Sequence, residues 1–235
     1  MAKTKKNWLA KQNWNDLLFI HYPIAIEDLR THIPEELEID TFEGQAWIGI
    51  VPFLGTENQA RKFGRIFSAD DFLELNVRTY VTYKGEKAVY FFTMDADSSL
   101  VVRTARSVVG LPYYHADMKI EEKDGTIKYE SKRTHDGKAK ASFSCSYAPV
   151  SKPSKSKPDT LTHWLTERYA LLKAKNGKVT KGPIHHEPWE LREAELTIHK
   201  NELLDFINPE ISKTEPLVHY SKAKEVLFYP FEKLS

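Results

Sequence analysis

Glu74, Asn76, Arg78 and Tyr80 alternate with Leu75, Val77, Thr79 and Val81 between positions 74 and 81. On an extended strand, period two gathers the first four on one face and the second four on the other. A carboxylate, an amide, a guanidinium and a phenol sharing a face could hold an anion and exchange a proton with it. The same alternation suits the solvent face of an antiparallel sheet, so the choice lies between that and a polar barrel lumen. Arg168 is a second cation of interest, because it falls on the apolar helical stripe formed by Leu161, Trp164, Leu165, Tyr169 and Leu172. A buried guanidinium is costly alone, so Arg168 either snorkels outward, pairs with a carboxylate such as Glu74 or Glu167, or holds an anion at a pocket. Two phenols follow a helix-to-strand turn at Tyr113 and Tyr114, and only one of them can face a given side. Tyr113 runs with His115 and Asp117, whereas Tyr114 runs with Ala116 and Met118, which makes Tyr113 the better candidate for a functional phenol.

Other chemistry-bearing residues give weaker signals. His185, His186 and Glu187 precede Pro188 and Trp189, but adjacent residues of an extended chain point apart and no further ligand stands at a zinc spacing. His21 and His219 are lone histidines, each read as a satisfied core or surface histidine sooner than as a catalyst. Cys145 alternates with Phe143 and Tyr147 on an apolar face, the pattern of a buried structural thiol. Neither a phosphate loop, a dinucleotide fingerprint nor a Gly-x-Ser-x-Gly elbow occurs. The candidates are therefore Glu74, Arg78 and Tyr113 for catalysis, and Asn76, Tyr114, Arg168, His21, His186 and Trp189 for ligand binding. No metal and no cofactor are expected.

The elements that must position these residues are mostly strands. Long strand patterns run over Leu73–Tyr83 and Ala88–Asp95, joined by a hairpin at Lys84-Gly85-Glu86-Lys87. Asp97 or Ser98 caps a short helix through Val101, Val102, Ala105, Val108 and Val109, which Gly110 and Pro112 stop. A hairpin about Lys123-Asp124-Gly125-Thr126 follows. Further strands are predicted at Ala46–Phe53, Trp189–His199 and Lys224–Phe231, with helices at Glu27–Leu37, Leu161–Lys175 and Glu202–Ile207. Residues 58–71 read as a long loop able to cover a site, residues 151–158 as a Lys/Ser/Pro surface loop, and residues 1–12 as a flexible basic N-terminus. The sum is an α+β chain, mainly antiparallel β, forming one domain over residues 1–235.

Composition narrows the partners. Lys and Arg total 34 against 33 for Asp and Glu, so no global field draws the chain to nucleic acid. No apolar run approaches the roughly 20 residues of a membrane span, and no signal segment follows Met1, so a cytoplasmic location is expected. One cysteine allows no internal disulfide.

Several ordered motifs resemble the YqjF-like family of uncharacterised bacterial proteins. They include Leu18-Phe19-Ile20-His21, Leu37-Glu38-Ile39-Asp40, Ala46-Trp47-Ile48-Gly49, the 74–81 strand, Leu111-Pro112-Tyr113, Leu165-Thr166-Glu167-Arg168-Tyr169 and Leu217-Val218-His219-Tyr220-Ser221. That family is similar to the acetoacetate-decarboxylase-like superfamily, which implies a distorted, cone-shaped antiparallel β-barrel with a few short helices outside and a central pocket. Glu74 resembles the strand carboxylate near the decarboxylase pocket. Decarboxylases carry Gly-Phe-Pro followed by two lysines, one of them the Schiff-base nucleophile, where this chain has Gly110-Leu111-Pro112-Tyr113-Tyr114. A phenol forms no Schiff base, and Lys119 and Lys132 lie elsewhere. The resemblance thus implies a small-molecule pocket, for an anionic or carbonyl-bearing metabolite, without amine chemistry. The alternative is a non-catalytic sensor or interaction module in which the same arginines form structural ion pairs; an exposed strand edge would also suit a homodimer.

Overall fold

A computed structural model describes residues 7–235. Strands β1 (Ala10–Ile24), β2 (Glu38–Ile39), β3 (Ala46–Lys62), β4 (Arg65–Ser68), β5 (Phe72–Tyr83) and β6 (Glu86–Ala96) form the first half. After them come β7 (Tyr113–Lys123), β8 (Thr126–Arg133), β9 (Ser142–Pro149), β10 (Ala170–Lys175), β11 (Lys178–His185), β12 (Arg192–Asn201), β13 (Leu217–Phe228) and β14 (Glu232–Lys233). Helices are short: α1 (Ile26–Arg30), α2 (Ser99–Thr104) running into a π-helical turn at Ala105–Val109, and α3 (Leu161–Thr166). Among the described residues no helix is long and apolar enough to cross a membrane.

Strands β13, β1, β3, β5 and β6 pair side by side as an antiparallel wall. From β6 the sheet continues through β7, β8, β9 and β12 back to β13, closing a ring of nine strands. A second, smaller ring shares that wall. Strand β10 joins β6 in parallel at Leu171 and Val89, and β11 links β10 to β13 at Ile184 and His185. Closure leaves few unpaired edges, and it makes the shared wall a partition buried on both sides. On β5, every residue from Phe72 to Val81 is buried.

Alternation sorts the wall's residues into two interiors. Leu18, Ile20, Tyr22, Ile48, Ile50, Leu75, Val77 and Val81 join Tyr129, Phe143, Cys145 and Tyr147 in the main core. The opposite face carries Leu17, Phe19, Val51 and Phe53, packed on Trp189 and Leu191. The polar residues of β5 belong to this second face, and α2 and α3 lie over it.

Several expectations need correction. The N-terminal arm is not free where it is described: Trp8 packs on Leu227 and Tyr229, the Leu9 N–H donates to the Phe228 carbonyl, and Ala10 enters β1. Residues 1–6 of that segment lie outside the described residues. The covering loop at 58–71 is a hairpin of β3 and β4, invisible to alternation because its tip is exposed on both sides, with Phe63, Ile66 and Phe67 in solvent beside the polar residues. The helix over Leu161–Lys175 stops at Thr166, and Ala170–Lys175 is strand β10. Its C-terminal Asn176-Gly177 is a two-residue hairpin turn with both φ angles positive, 53° and 74°. The Glu27–Leu37 helix shrinks to α1, after which the Arg30 guanidinium holds the carbonyls of Ile33, Pro34 and Leu37. Residues 203–207 form turns before a 3-10 turn at Pro209–Lys213, and β12 begins only at Arg192, leaving Trp189 ahead of it.

Candidate functional site

Glu74, Asn76 and Arg78 stand in succession along β5, and neighbouring strands supply the rest of the site by register. His21, Gly49 and Arg78 lie in one row across β1, β3 and β5. The glycine is what lets them converge, since a Cβ at position 49 would sit 3.0 Å from His21 Cδ2 and 3.7 Å from Arg78 Cγ. The next row brings Asn76 opposite Met94, and Met94 opposite Tyr113 on β7. Ser98 caps α2, and Gly110 at φ 72° ends the π-helical turn, so that Leu111 and Pro112 deliver Tyr113 to β7.

At one end, Tyr113 Oη donates to Glu74 Oε2 at 2.7 Å. Both groups are buried, and removal from water raises the Glu74 carboxyl to about 7, against opposing hydrogen bonds from Tyr113 and Asn76. Burial and the adjoining carboxylate push the Tyr113 phenol well above its ordinary range. Glu74 is therefore poised to gain or lose a proton near neutrality, while Tyr113 remains a donor.

At the other end, Tyr80 Oη lies 2.9 Å from the Leu165 carbonyl and 2.8 Å from His21 Nε2. A carbonyl has no proton, so Tyr80 donates to Leu165, and His21 Nε2–H donates to Tyr80. His21 Nδ1 is then a bare acceptor, and it has no partner. Burial, then the Arg78 charge and then His219 hold this imidazole well below its usual pKa, hence neutral. Arg78 is 7% exposed, rests over the Phe19 ring at 5.5 Å, and has no hydrogen-bond partner at Nε or Nη2. Among the described residues no carboxylate forms an ion pair with it. Asn76 Oδ1, midway between Glu74 and Arg78, is likewise unpartnered. Burial lowers the Arg78 pKa, yet a guanidinium stays charged.

The remaining candidates are placed differently. Arg168 meets Asp40 at 2.7 Å, not Glu74 or Glu167, and its Nε caps the Trp164 carbonyl at the end of α3. Its guanidinium also lies 4.3 Å from the Trp164 ring and 4.8 Å from that of Tyr80, leaving only Nη2 unpartnered. Trp189 donates to the Thr166 carbonyl and packs edge-on against Phe19. His186 stacks on Tyr169 and lies tilted against Trp189 with Nε2 unpartnered, on a surface cleft of about 280 Å³. Tyr114 is not on the polar face of β5 but lies over the buried Asp95–Arg133 pair, 4.9 Å from the guanidinium. No group of three or more His, Cys, Asp or Glu among the described residues could hold a metal ion.

A family model for uncharacterized conserved proteins, DUF2071, matches residues 11–225. The chain belongs to that family. A DUF2071 relative, the uncharacterized protein YqjF of Bacillus subtilis (strain 168), is 45% identical over 228 residues, covering 97% of this chain and 93% of that protein. Solved structures extend the likeness to the acetoacetate-decarboxylase-like fold. Acetoacetate decarboxylase from Legionella pneumophila superposes with a TM-score of 0.63 at 15% identity, over 100% of this chain and 93% of that one. The enduracididine biosynthesis enzyme MppR, complexed with pyruvate, gives 0.64 at 12% identity with the same coverage. An acetoacetate decarboxylase-like enzyme from Sphingomonas wittichii RW1 gives 0.63 at 10%, over 97% and 93%. The DUF2071 chain described here thus has the mainly antiparallel barrel, with short helices outside, that its motifs implied.

Sequence reasoning missed Gly49 and Asp40. Gly49 has a signal in retrospect, a glycine between apolar residues of a strand, which marks a close approach of neighbouring groups. Asp40 appears only as the last residue of a motif, with nothing to mark its chemistry, because it follows β2 outside any regular element and reaches Arg168 only through the tertiary fold.

Proposed function

We propose that the buried polar face of β5 binds a small carbonyl-bearing carboxylic acid and exchanges a proton with it. The observation that carries this reading is Arg78, a buried cation with two unpartnered nitrogens and no carboxylate of its own. Such a group is costly to bury unless something anionic completes it, and a carboxylate presents two acceptors to a guanidinium. Glu74 and Arg78 are four residues apart, roughly 13 Å along a strand. Two side chains and a three-carbon acid can bridge that span over Asn76. With the acid's carboxylate on Arg78, a C–H proton beside the carbonyl passes to the Glu74 carboxylate, and the electron pair moves to the carbonyl oxygen. Tyr113 O–H, turned from Glu74, then donates to the enolate, and return of a proton to carbon restores the ketone. Tyrosines at 113 and 114 offer no amine, so no Schiff base is invoked.

Pyruvate in the MppR complex makes a 2-oxo acid the first compound to try. Thermal shift with 2-oxo acids and proton NMR of the pyruvate methyl in D2O test the proposal. Ligand-dependent stabilisation that Arg78→Met abolishes, together with methyl deuteration that Glu74→Gln abolishes, is the expected outcome. Borohydride trapping of pyruvate on a lysine would overturn it, as would an absence of both stabilisation and exchange at millimolar acid. A second reading, a non-catalytic sensor, draws on the Arg168–Asp40 and Arg133–Asp95 ion pairs, taken as structural. A sensor would be stabilised by the acid without deuterating it.

A further inference from the structure

Strand β6 forks. On its outer side it pairs with β10 at Val89 and with β7 from Met94 onward, and in between the two partners diverge. The fork opens as a cleft of about 730 Å³ between residues 90–92, the 110–114 turn and the β10–β11 hairpin. Its lining contains four cations, Arg106, Lys173, Lys175 and Lys178, and no carboxylate. Two of the cations are held in place by the backbone: Arg106 donates to the Tyr113 carbonyl at 2.8 Å, and Lys173 donates to the Val109 carbonyl. The other two, Lys175 and Lys178, are exposed and stand directly opposite each other across the hairpin, a like-charge arrangement that costs stability by itself. Glu36 touches this hairpin but accepts from the Gly177 N–H, and neither lysine has an ion-pair partner among the described residues. Tyr90, Phe92 and Tyr114 supply ring surfaces along the walls. Phe91, the cross-strand neighbour of Arg78, also lines the cleft.

We propose that this fork is a second binding site, for a polyanion that carries a planar ring, the chemistry of a nucleoside polyphosphate. Converging cations without a carboxylate favour a ligand of more than one negative charge, which a monocarboxylic acid is not. Ring walls within the same cleft favour a flat group stacked beside the charges, and the volume suits a ligand of that size. The site is independent of Arg78 and Glu74.

Calorimetric titration of the full chain with adenosine triphosphate, in metal-free buffer at low salt, tests the assignment. Saturable binding is expected, with inorganic triphosphate at least tenfold weaker because it lacks the ring. The double substitution Lys175→Ala/Lys178→Ala should weaken adenosine triphosphate at least tenfold while keeping the fold, since both side chains are exposed and repel each other. Arg78→Met should bind it as the unaltered protein does. The proposal is overturned by an absence of saturable heat, by triphosphate binding as tightly as the nucleotide, or by a double variant of unchanged affinity. Loss of binding in Arg78→Met would move the ligand to the polar face of β5, and a single-stranded oligoadenylate binding more tightly than the mononucleotide would make the cleft a polynucleotide site; either result refutes it.

Discussion

Glu74→Gln should change the pH dependence of stability more than stability itself. The Glu74 carboxyl is 4% exposed and titrates near 7 in the fold, against 4.5 ordinarily. A carboxyl with a raised folded pKa favours the native state while it is neutral. Below pH 4.5 it is protonated in both states and costs nothing. Between 4.5 and 7 the unfolded chain ionises first, so native stability falls, and above 7 the loss is complete. The separation of roughly 2.5 pKa units corresponds to about 3 kcal/mol at about 1.4 kcal/mol per unit. For a chain of this length that is roughly 6–12 °C in Tm. Glutamine cannot ionise, and its amide oxygen still accepts from Tyr113. Urea unfolding at fixed ionic strength from pH 4.5 to 8.5 should therefore give two curves that diverge by about 3 kcal/mol, with equal m values. Burial lowers the pKa of His21, His186 and His219, which removes stability as pH falls, but both proteins share that loss and it cancels in the difference. A difference constant across the range to within about 0.5 kcal/mol would show that Glu74 ionises as in water. The proposed proton exchange would then lose its base.

Three further outcomes follow from the same geometry. Gly49→Ala places a methyl against a His21 ring already fixed by Tyr80 and Phe19, so it should cost about 1–3 kcal/mol in urea unfolding and abolish stabilisation by 2-oxo acids. Arg168→Met leaves Asp40 unpaired and should cost about 3–5 kcal/mol, whereas Arg78→Met strands no carboxylate and should cost less than about 1 kcal/mol or stabilise; equal losses would make both arginines structural. Cys145, buried with its thiol pushed up to about 12, should not react with a thiol reagent until the protein unfolds.

Period two on residues 74–81 was enough to place Glu74, Asn76, Arg78 and Tyr80 on one face, because a strand's pleat depends on the backbone alone. What covers that face was not legible. The cover comes from Phe19, Trp189 and α3, which reach it through ring closure between segments remote in sequence. Arg168 shows the opposite failure: the helical stripe gave its burial correctly and its partner wrongly, since Asp40 is 128 residues away. Residues 170–175 satisfy both periods, with Ala170 and Leu172 inward, and only the Asn176-Gly177 turn distinguishes strand from helix. Alternation separated Tyr113 from Tyr114, and the two phenols do face different ways, Tyr113 toward Glu74 and Tyr114 over the Asp95–Arg133 pair.

The wall shared by the two rings bears on synthesis as well as on architecture. Its first strand, β1, pairs with β13 from Ala10 opposite Phe228 to His21 opposite Leu217. A nascent chain still tethered near residue 210 therefore displays the whole flank of β1 with no partner, and neither ring can shut. Such remote pairing makes folding slow and post-translational, and it exposes a sticky strand in the interval. A chain cut before Leu217 should accumulate as aggregate, not as a smaller soluble barrel.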